Sequence, residues 1–247
     1  MRNFKLEIEY DGTHYSGWQE QNRSKKARTI QHILEKTLNK ILREKIKLTV
    51  AGRTDAGVHA LAQVANFKSN TKMPFDRLRW GLNCLLPPDI KITRIKNVSL
   101  DFNSRFSAKS KIYRYTVLNR KYSSALLANR VYFFHYPLDI KLMHQEAKAL
   151  LGKHNFKSFQ ATEKRQREPM RTIKHIKIIR EKDLLHIDLE ADGFLYNMVR
   201  NIAGTLLEIG RGRFPKGSMK KILQSRNRRL AGPALPAKGL CLLKVKY

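Results

Sequence analysis

A chain of 247 residues, 42% of them hydrophobic, can bury one or two cores without staples. Cys84 and Cys241 stand far apart with no ligand spacing around them, which excludes a disulfide framework and argues against a structural zinc. Lys and Arg number 50 against 20 Asp and Glu, and the resulting +30 calls for a polyanionic partner, nucleic acid before membrane.

Phe4, Leu6, Ile8 and Tyr10 alternate with Lys5, Glu7 and Glu9, the period of a half-buried strand, which Asp11-Gly12 ends. Met1 leads into that strand at once, leaving no room for a signal peptide, and no run approaches the ~18 apolar residues of a membrane span. A cytoplasmic setting is therefore expected. Ile30, Ile33, Leu34, Leu38, Ile41 and Leu42 then recur at helical spacing behind Thr29, a side chain suited to an N-cap. Ile46, Leu48 and Val50 alternate again, 63–67 reads as a further strand, and Leu78, Leu82 and Leu85 mark a helix over 75–85 that Pro87-Pro88 stops before a strand at 90–95.

The order so far is β-α-β-β-α-β. A second half repeats it: a strand at 112–118, an extra one at 130–136, a helix over 139–151, a hairpin of 172–180 with 184–191, a helix over about 196–209 and a last strand at 240–247. The fold class expected is α+β, with two ferredoxin-like or RRM-like halves, a shared, mainly antiparallel sheet and a cleft between them. The loop over 100–109 is the natural join, and the domains are drawn at 1–104 and 105–247.

Between the third predicted strand and its predecessor lies Gly52-Arg53-Thr54-Asp55-Ala56-Gly57-Val58-His59-Ala60, in which one carboxylate sits between two glycines and beside an arginine. The Gly-x-x-x-x-Gly spacing is shared with phosphate-cradling loops, but Val58 and His59 occupy the places of the Lys and Ser/Thr, so nucleoside triphosphate hydrolysis is rejected. This loop resembles the signature of the tRNA pseudouridine synthase A family. Three more segments match in order: Glu9-Tyr10-Asp11-Gly12 with Gly17-Trp18-Gln19, Lys111-Ile112-Tyr113-Arg114-Tyr115, and Phe194-Leu195-Tyr196-Asn197-Met198-Val199-Arg200-Asn201.

The resemblance implies isomerisation of uridine to pseudouridine at positions 38, 39 and 40 in the anticodon arm of tRNA, by a homodimer in which each tRNA touches both subunits, with no cofactor and no metal. It gives Asp55 the role of nucleophile, pairs Arg200 with it, stacks Tyr113 on the target uracil, and puts Arg53 in the place of the flipped nucleotide. RNA contacts fall to Phe102, Asn103, Ser104, Arg105 and Phe106, and to the loop of Glu163, Lys164, Arg165, Gln166 and Arg167.

Physical chemistry supports these roles and offers plainer ones beside them. A carboxylate, with an ordinary pKa of about 3.9, stays ionised in a cavity that admits a base only if a cation stands by, and the apolar neighbours Met198, Val199 and Ile202 make a wall in which Arg200 would seek a carboxylate. On a strand, Tyr113 and Tyr115 share one face and Arg114 the other, so either tyrosine suits a core as well as a stacking platform. Phe102 and Phe106 equally suit a core, a phosphate contact alone is the lesser reading of Arg53, and His59 reads as structural rather than catalytic.

Two stretches carry uncancelled charge: seven Lys/Arg against two Glu over 163–180, and eight Lys/Arg with no acid over 211–230. The second reads equally well as a solvated face. The rival function is a non-catalytic basic RNA-binding protein of RRM-like fold, against which Asp55 speaks, because a carboxylate in an RNA-binding loop repels phosphate. A metal-dependent nuclease would need clustered carboxylates, which the sequence around Asp55 does not supply.

Overall fold

Alternation from Phe4 to Tyr10 and the helical spacing behind Thr29 both fold as their periods dictate in a computed structural model of the chain, which describes residues 1–19, 28–162 and 168–247. In chain order the elements are β1 (Arg2–Tyr10), α1 (Ile30–Leu42), β2 (Thr49–Val50), β3 (His59–Ser69), α2 (Phe75–Leu85), β4 (Ile90–Val98), β5 (Ser110–Leu118), β6 (Tyr132–Phe133), α3 (Ile140–Ala147), β7 (Gly152–Asn155), β8 (Met170–Glu181), β9 (Leu184–Ala191), α4 (Met198–Gly210), α5 (Ser218–Ser225) and β10 (Leu240–Lys246). Each of the two compact units is α+β with a mainly antiparallel sheet.

The units do not divide at 104/105. The first comprises residues 1–109 together with 241–247, and the second residues 110–240, because the last strand leaves the half that precedes it and pairs in parallel with β3, Cys241 beside His59 and Leu242 beside Ala60.

In the first unit β1 lies between β3 and β4, antiparallel to both, and β2 pairs with β3 through Thr49 and Val50. The sheet buries Phe4, Leu6 and Ile8 with Phe67, whose ring stacks on Phe4 at 5.0 Å, while Leu34 and Leu38 of α1 and Leu78 and Leu82 of α2 complete the core. Thr29 caps α1 as expected, its hydroxyl accepting from the His32 amide at 3.3 Å. Two strands depart from their sequence pattern for a reason the hydrogen bonding and register give. β2 is only two residues long, because Ile46 and Leu48 are held outside the ladder: the Asn39 side chain accepts the Ile46 amide at 2.7 Å and the buried Glu35 carboxylate accepts the Leu48 amide at 2.9 Å. β3 starts four residues early, at His59, beyond a register shift opposite Ile8 and Tyr10 that interrupts the alternation.

In the second unit the sheet runs β7-β8-β9-β5, with β6 added in parallel beside Val117 and Leu118. Tyr115 and Val117 face Ile187 and Leu185 across the ladder, and this face is buried with Met143 of α3 and Ile202, Leu206 and Ile209 of α4. The helix expected over 139–151 stops at Ala147, passes through a single 3-10 turn and gives way to the edge strand β7. The basic stretch over 211–230 is not simply a solvated face. It contains α5, whose Met219, Ile222 and Leu223 are buried and whose first amides are accepted by the buried Glu146 carboxylate, Gly217 at 2.7 Å and Met219 at 3.0 Å. Arg211 and Arg213 bind Glu208, and Arg228 donates to the carbonyls of Ala231 and Gly232 and to Asn201, so three of the eight cations hold the fold while Lys216, Lys220, Lys221, Arg226 and Arg229 are exposed.

Candidate active site

The loop bearing Asp55 is held by its backbone from both sides. At its start the Ala51 amide donates to Val64 at 2.8 Å, and the fully buried Gln63 donates through Nε2 to the Gly52 carbonyl at 2.8 Å. One residue before the carboxylate, Thr54 is buried with its hydroxyl 2.7 Å from the Tyr10 hydroxyl, and its carbonyl accepts the Trp18 amide at 3.0 Å. Beyond it, the Val58 amide closes a turn onto the Asp55 carbonyl at 3.2 Å, with Gly57 in the left-handed region at φ +77°. The Asp55 side chain is left half-buried and Arg53 exposed. Burial pushes the Tyr10 hydroxyl up to about 12, against the opposing pull of its hydrogen bonds to Thr54 and Gln63, so it stays a neutral peg beneath the loop.

The Glu9-to-Gln19 motif is the other wall of this clamp. A Cβ on Gly12 would lie 2.0 Å from the Val58 carbonyl oxygen, and one on Gly17, itself at φ +91°, would lie 2.7 Å from the Thr54 carbonyl oxygen. The chain approaches that closely only because both positions lack a side chain. His59 completes the contact: its Nδ1 stands 3.1 Å from the Gly12 amide and 3.1 Å from an Asp11 carboxylate oxygen, the latter also accepting the Thr13 amide at 3.0 Å. A single ring nitrogen cannot accept from the amide and donate to the carboxylate at once, but either proton arrangement ties β3 to the turn after β1. His59 thus has the structural place expected of it.

The segment Phe102 to Phe106 belongs to the same unit and divides into holders and presenters. Ser104 is fully buried, its amide and hydroxyl both donating to Asn66 Oδ1, at 2.9 and 2.8 Å, and its carbonyl accepting the Tyr247 hydroxyl at 2.9 Å. Asn66 in turn donates to Asn3, which donates to the carbonyls of Ser99 and Phe102. Asn103 Oδ1 accepts the amides of Arg105 and Phe106, an Asx turn that leaves Arg105 and Phe106 exposed, Phe106 at 78%, with the guanidinium 5.4 Å from the ring. Ser104 therefore positions this loop and has no surface to offer RNA. Phe102 is half-buried against Tyr247, at 5.0 Å between rings. Asn66 and Tyr247 carry no local sequence signal for this work, since their partners lie 38 and 143 positions away.

Tyr113 and Arg200 belong to the second unit. Tyr113 lies opposite Leu189 on β9 with only 7% of its surface exposed, its ring edge-on to Phe194 at 5.2 Å. Tyr115, on the same face, is the core residue of the two: its hydroxyl donates to the Pro236 carbonyl at 2.7 Å and burial drives its pKa well above the ordinary range. Arg114, on the opposite face, makes a two-pronged pair with Asp188 at 2.7 and 2.8 Å directly across the ladder. Arg200 stands in the first turn of α4 between the buried Met198, Val199 and Ile202. Its guanidinium donates to Asn197 Oδ1 at 2.7 Å and to the Leu235 carbonyl, fixing the plane of the fork. Asn197 supplies the left-handed residue, φ 59°, from which the helix starts. Glu163, Lys164, Arg165, Gln166 and Arg167 lie outside the described residues.

A model of the family described as tRNA pseudouridine synthase matches residues 7–107 and 147–247. The chain belongs to that family. Curated tRNA pseudouridine synthases A from Thermoanaerobacter pseudethanolicus, Acetivibrio thermocellus and Clostridium acetobutylicum are each 44% identical to it over 247 residues, covering 100% of both chains. The first matched range of the synthase family takes in the Gly12–Gly17 wall, the Asp55 loop and the 102–106 segment, and the second takes in Arg200 and the residues that orient it, whereas Tyr113 falls between them. Among the described residues no group of three or more His, Cys, Asp or Glu could hold a metal, and no helix is long and apolar enough to cross a membrane.

Proposed function

We propose that this tRNA pseudouridine synthase isomerises uridines at positions 38, 39 and 40 of the anticodon arm, with Asp55 as the nucleophile. The observation that carries the reading is the clamp: the half-buried Asp55 carboxylate has its backbone fixed on both flanks, by Trp18 and Gln63 before it and by the Gly57 turn after it. That investment fits a group whose position must be right to a fraction of an ångström.

The reaction balances without redox change or energy input. The carboxylate attacks either C1′ of the ribose or C6 of the uracil, the C1′–N1 bond breaks, the uracil turns, and C5 bonds to C1′. The proton on C5 is lost, N1 gains one, and the carboxylate is returned. Each Asp55 adduct requires an ionised nucleophile, for which Arg200, held in orientation by Asn197 and Leu235, is the counter-charge. Tyr113, steadied by Phe194, offers the everted base its stacking face. Arg53, exposed two residues before Asp55, fills the gap the base leaves, and Arg105, with the loops of 102–106 and 163–167, grips RNA. A homodimer working in the cytoplasm, with no metal or cofactor, completes the reading that the family resemblance implies.

The test is to incubate unmodified tRNA with the protein and map pseudouridine by carbodiimide modification and primer extension. Stops confined to positions 38–40 are expected. Stops elsewhere, or none, overturn the assignment.

A further inference from the structure

A groove of about 510 Å³ opens in the first unit between the connection from α1 to β2 and the loop after β4, and its lining carries three lysines, Lys45 and Lys47 from that connection and Lys68 from β3. Asp101 is the one carboxylate on the lining. It is fully exposed and its carboxyl is held below the ordinary value, first by a hydrogen bond from Ser99 and in lesser part by the charge of Lys68. Lys47 reaches the Glu35 carboxylate at 3.6 Å while 73% of its side chain remains exposed, and Lys68 is exposed. Beside the apolar Phe67, Leu100 and Phe102, three lysines against one carboxylate suit a chain of phosphates.

Two features of the fold connect the groove to the proposed RNA site rather than to a free mononucleotide. Its lining includes Thr49 of β2, the strand that pairs with Asn66 and Ala65 and runs straight into the Asp55 loop. Its wall includes Phe102 and Asn103, and Asn103 is the residue whose turn presents Arg105 and Phe106.

We infer that this groove is a second RNA-backbone site, in which Lys45, Lys47 and Lys68 hold phosphates of a tRNA segment that does not contain the modified nucleotide. The inference rests on tRNA being the substrate, and it places affinity in the groove and chemistry at Asp55. Each phosphate held adds roughly 0.7 to 0.9 to the slope of log affinity against log salt, so three contacts contribute about 2, or about 100-fold in affinity at 0.1 M salt relative to 1 M.

The experiment titrates unmodified tRNA across a salt series with the full chain, the variant Lys45→Ala/Lys47→Ala/Lys68→Ala, its Lys→Arg counterpart, and Lys141→Ala/Lys148→Ala/Lys153→Ala as a charge-matched control on the second unit. The expected result is a slope lower by about 2 and affinity weakened about 100-fold at 0.1 M salt for the groove variant, with the slope kept by the arginine counterpart and the conversion rate of bound tRNA unchanged. An unchanged slope, an equal fall in the control, or a loss of conversion at saturating tRNA with the slope intact overturns the inference. So does competition by uridine monophosphate at the groove with no effect of the variant on tRNA. If the wild type binds tRNA but converts none, the proposed function fails while the slope comparison still decides the groove.

Discussion

Replacing Gly12 by Ala tests the clamp without touching any group proposed to meet RNA. The new Cβ would stand 2.0 Å from the Val58 carbonyl oxygen, 2.7 Å from its carbon and 3.1 Å from its nitrogen, all backbone atoms that no rotamer change can move aside. Relieving the clash requires a displacement of at least about 1 Å, and the segment that must yield is the turn closed by the Val58 amide on the Asp55 carbonyl. A misplacement of that size is worth about 100-fold in rate, with a stability loss of about 1–3 kcal/mol from overpacking. Single-turnover conversion at saturating tRNA, measured with the melting temperature and the dissociation constant, separates the effects. The clamp predicts a rate about 100-fold lower with tRNA affinity within a few-fold of wild type. A folded variant of unchanged rate would show that the grip of the Glu9-to-Gln19 segment on the Asp55 loop does not matter to the chemistry.

Arg200→Ala is expected to lower conversion by about 100-fold or more while tRNA affinity stays near wild type, since a counter-charge acts on the reacting group; a loss confined to affinity contradicts the role. Tyr113→Phe should keep binding, because the stacking face survives, whereas Tyr113→Ala should lose about 1–3 kcal/mol of affinity for the modified arm, read by titration. Tyr10, pushed up to about 12 by burial, is neutral in the folded protein where the unfolded chain ionises near 10, so its contribution is complete below pH 10 and is shed as pH rises to 12. Over that window Tyr10→Phe should reduce the fall of unfolding free energy by about 1.4 kcal/mol per pH unit, measured by denaturant titration. On α2, a Cβ at Gly81 meets only Ile41 Cδ1 at an ordinary 3.7 Å, so Gly81→Ala should stabilise the protein by about 1 kcal/mol and leave conversion unchanged.

Local period was enough where one face of an element meets the core and the other meets water. β1, α1, α2 and the β8–β9 hairpin follow their apolar spacing, and the order of elements in residues 1–98 is the order read from it. Period failed where a tertiary partner decides. β7, Gly-Lys-His-Asn, has no alternation and exists because Met170 to Ile173 offer it a ladder edge. In α5, the signal of Met219, Ile222 and Leu223 was drowned by the surrounding lysines, and the Glu146 carboxylate that caps it comes from 71 residues away. The same holds in the candidate site. Asp55 stands out as a lone carboxylate between two glycines, and Tyr113 and Arg200 are singled out by the motifs that resemble the family, but the holders are not: Gln63, Thr54 and Tyr10 beneath the loop, Asn66 and Tyr247 behind Ser104, and Leu235 beside Arg200 act through backbone carbonyls or buried hydrogen bonds between distant positions. The glycines at 12 and 17 were visible as a motif, yet only the approach of Val58 and Thr54 gives them a reason.

Proton release from C5 of the target uracil reports the bond change itself. With tRNA carrying tritium at that carbon, the wild type should release tritium to solvent, and Asp55→Asn, bound to tRNA as tightly and folded as well, should release none. Release by Asp55→Asn at a rate near that of the wild type would contradict the assignment of Asp55 as nucleophile.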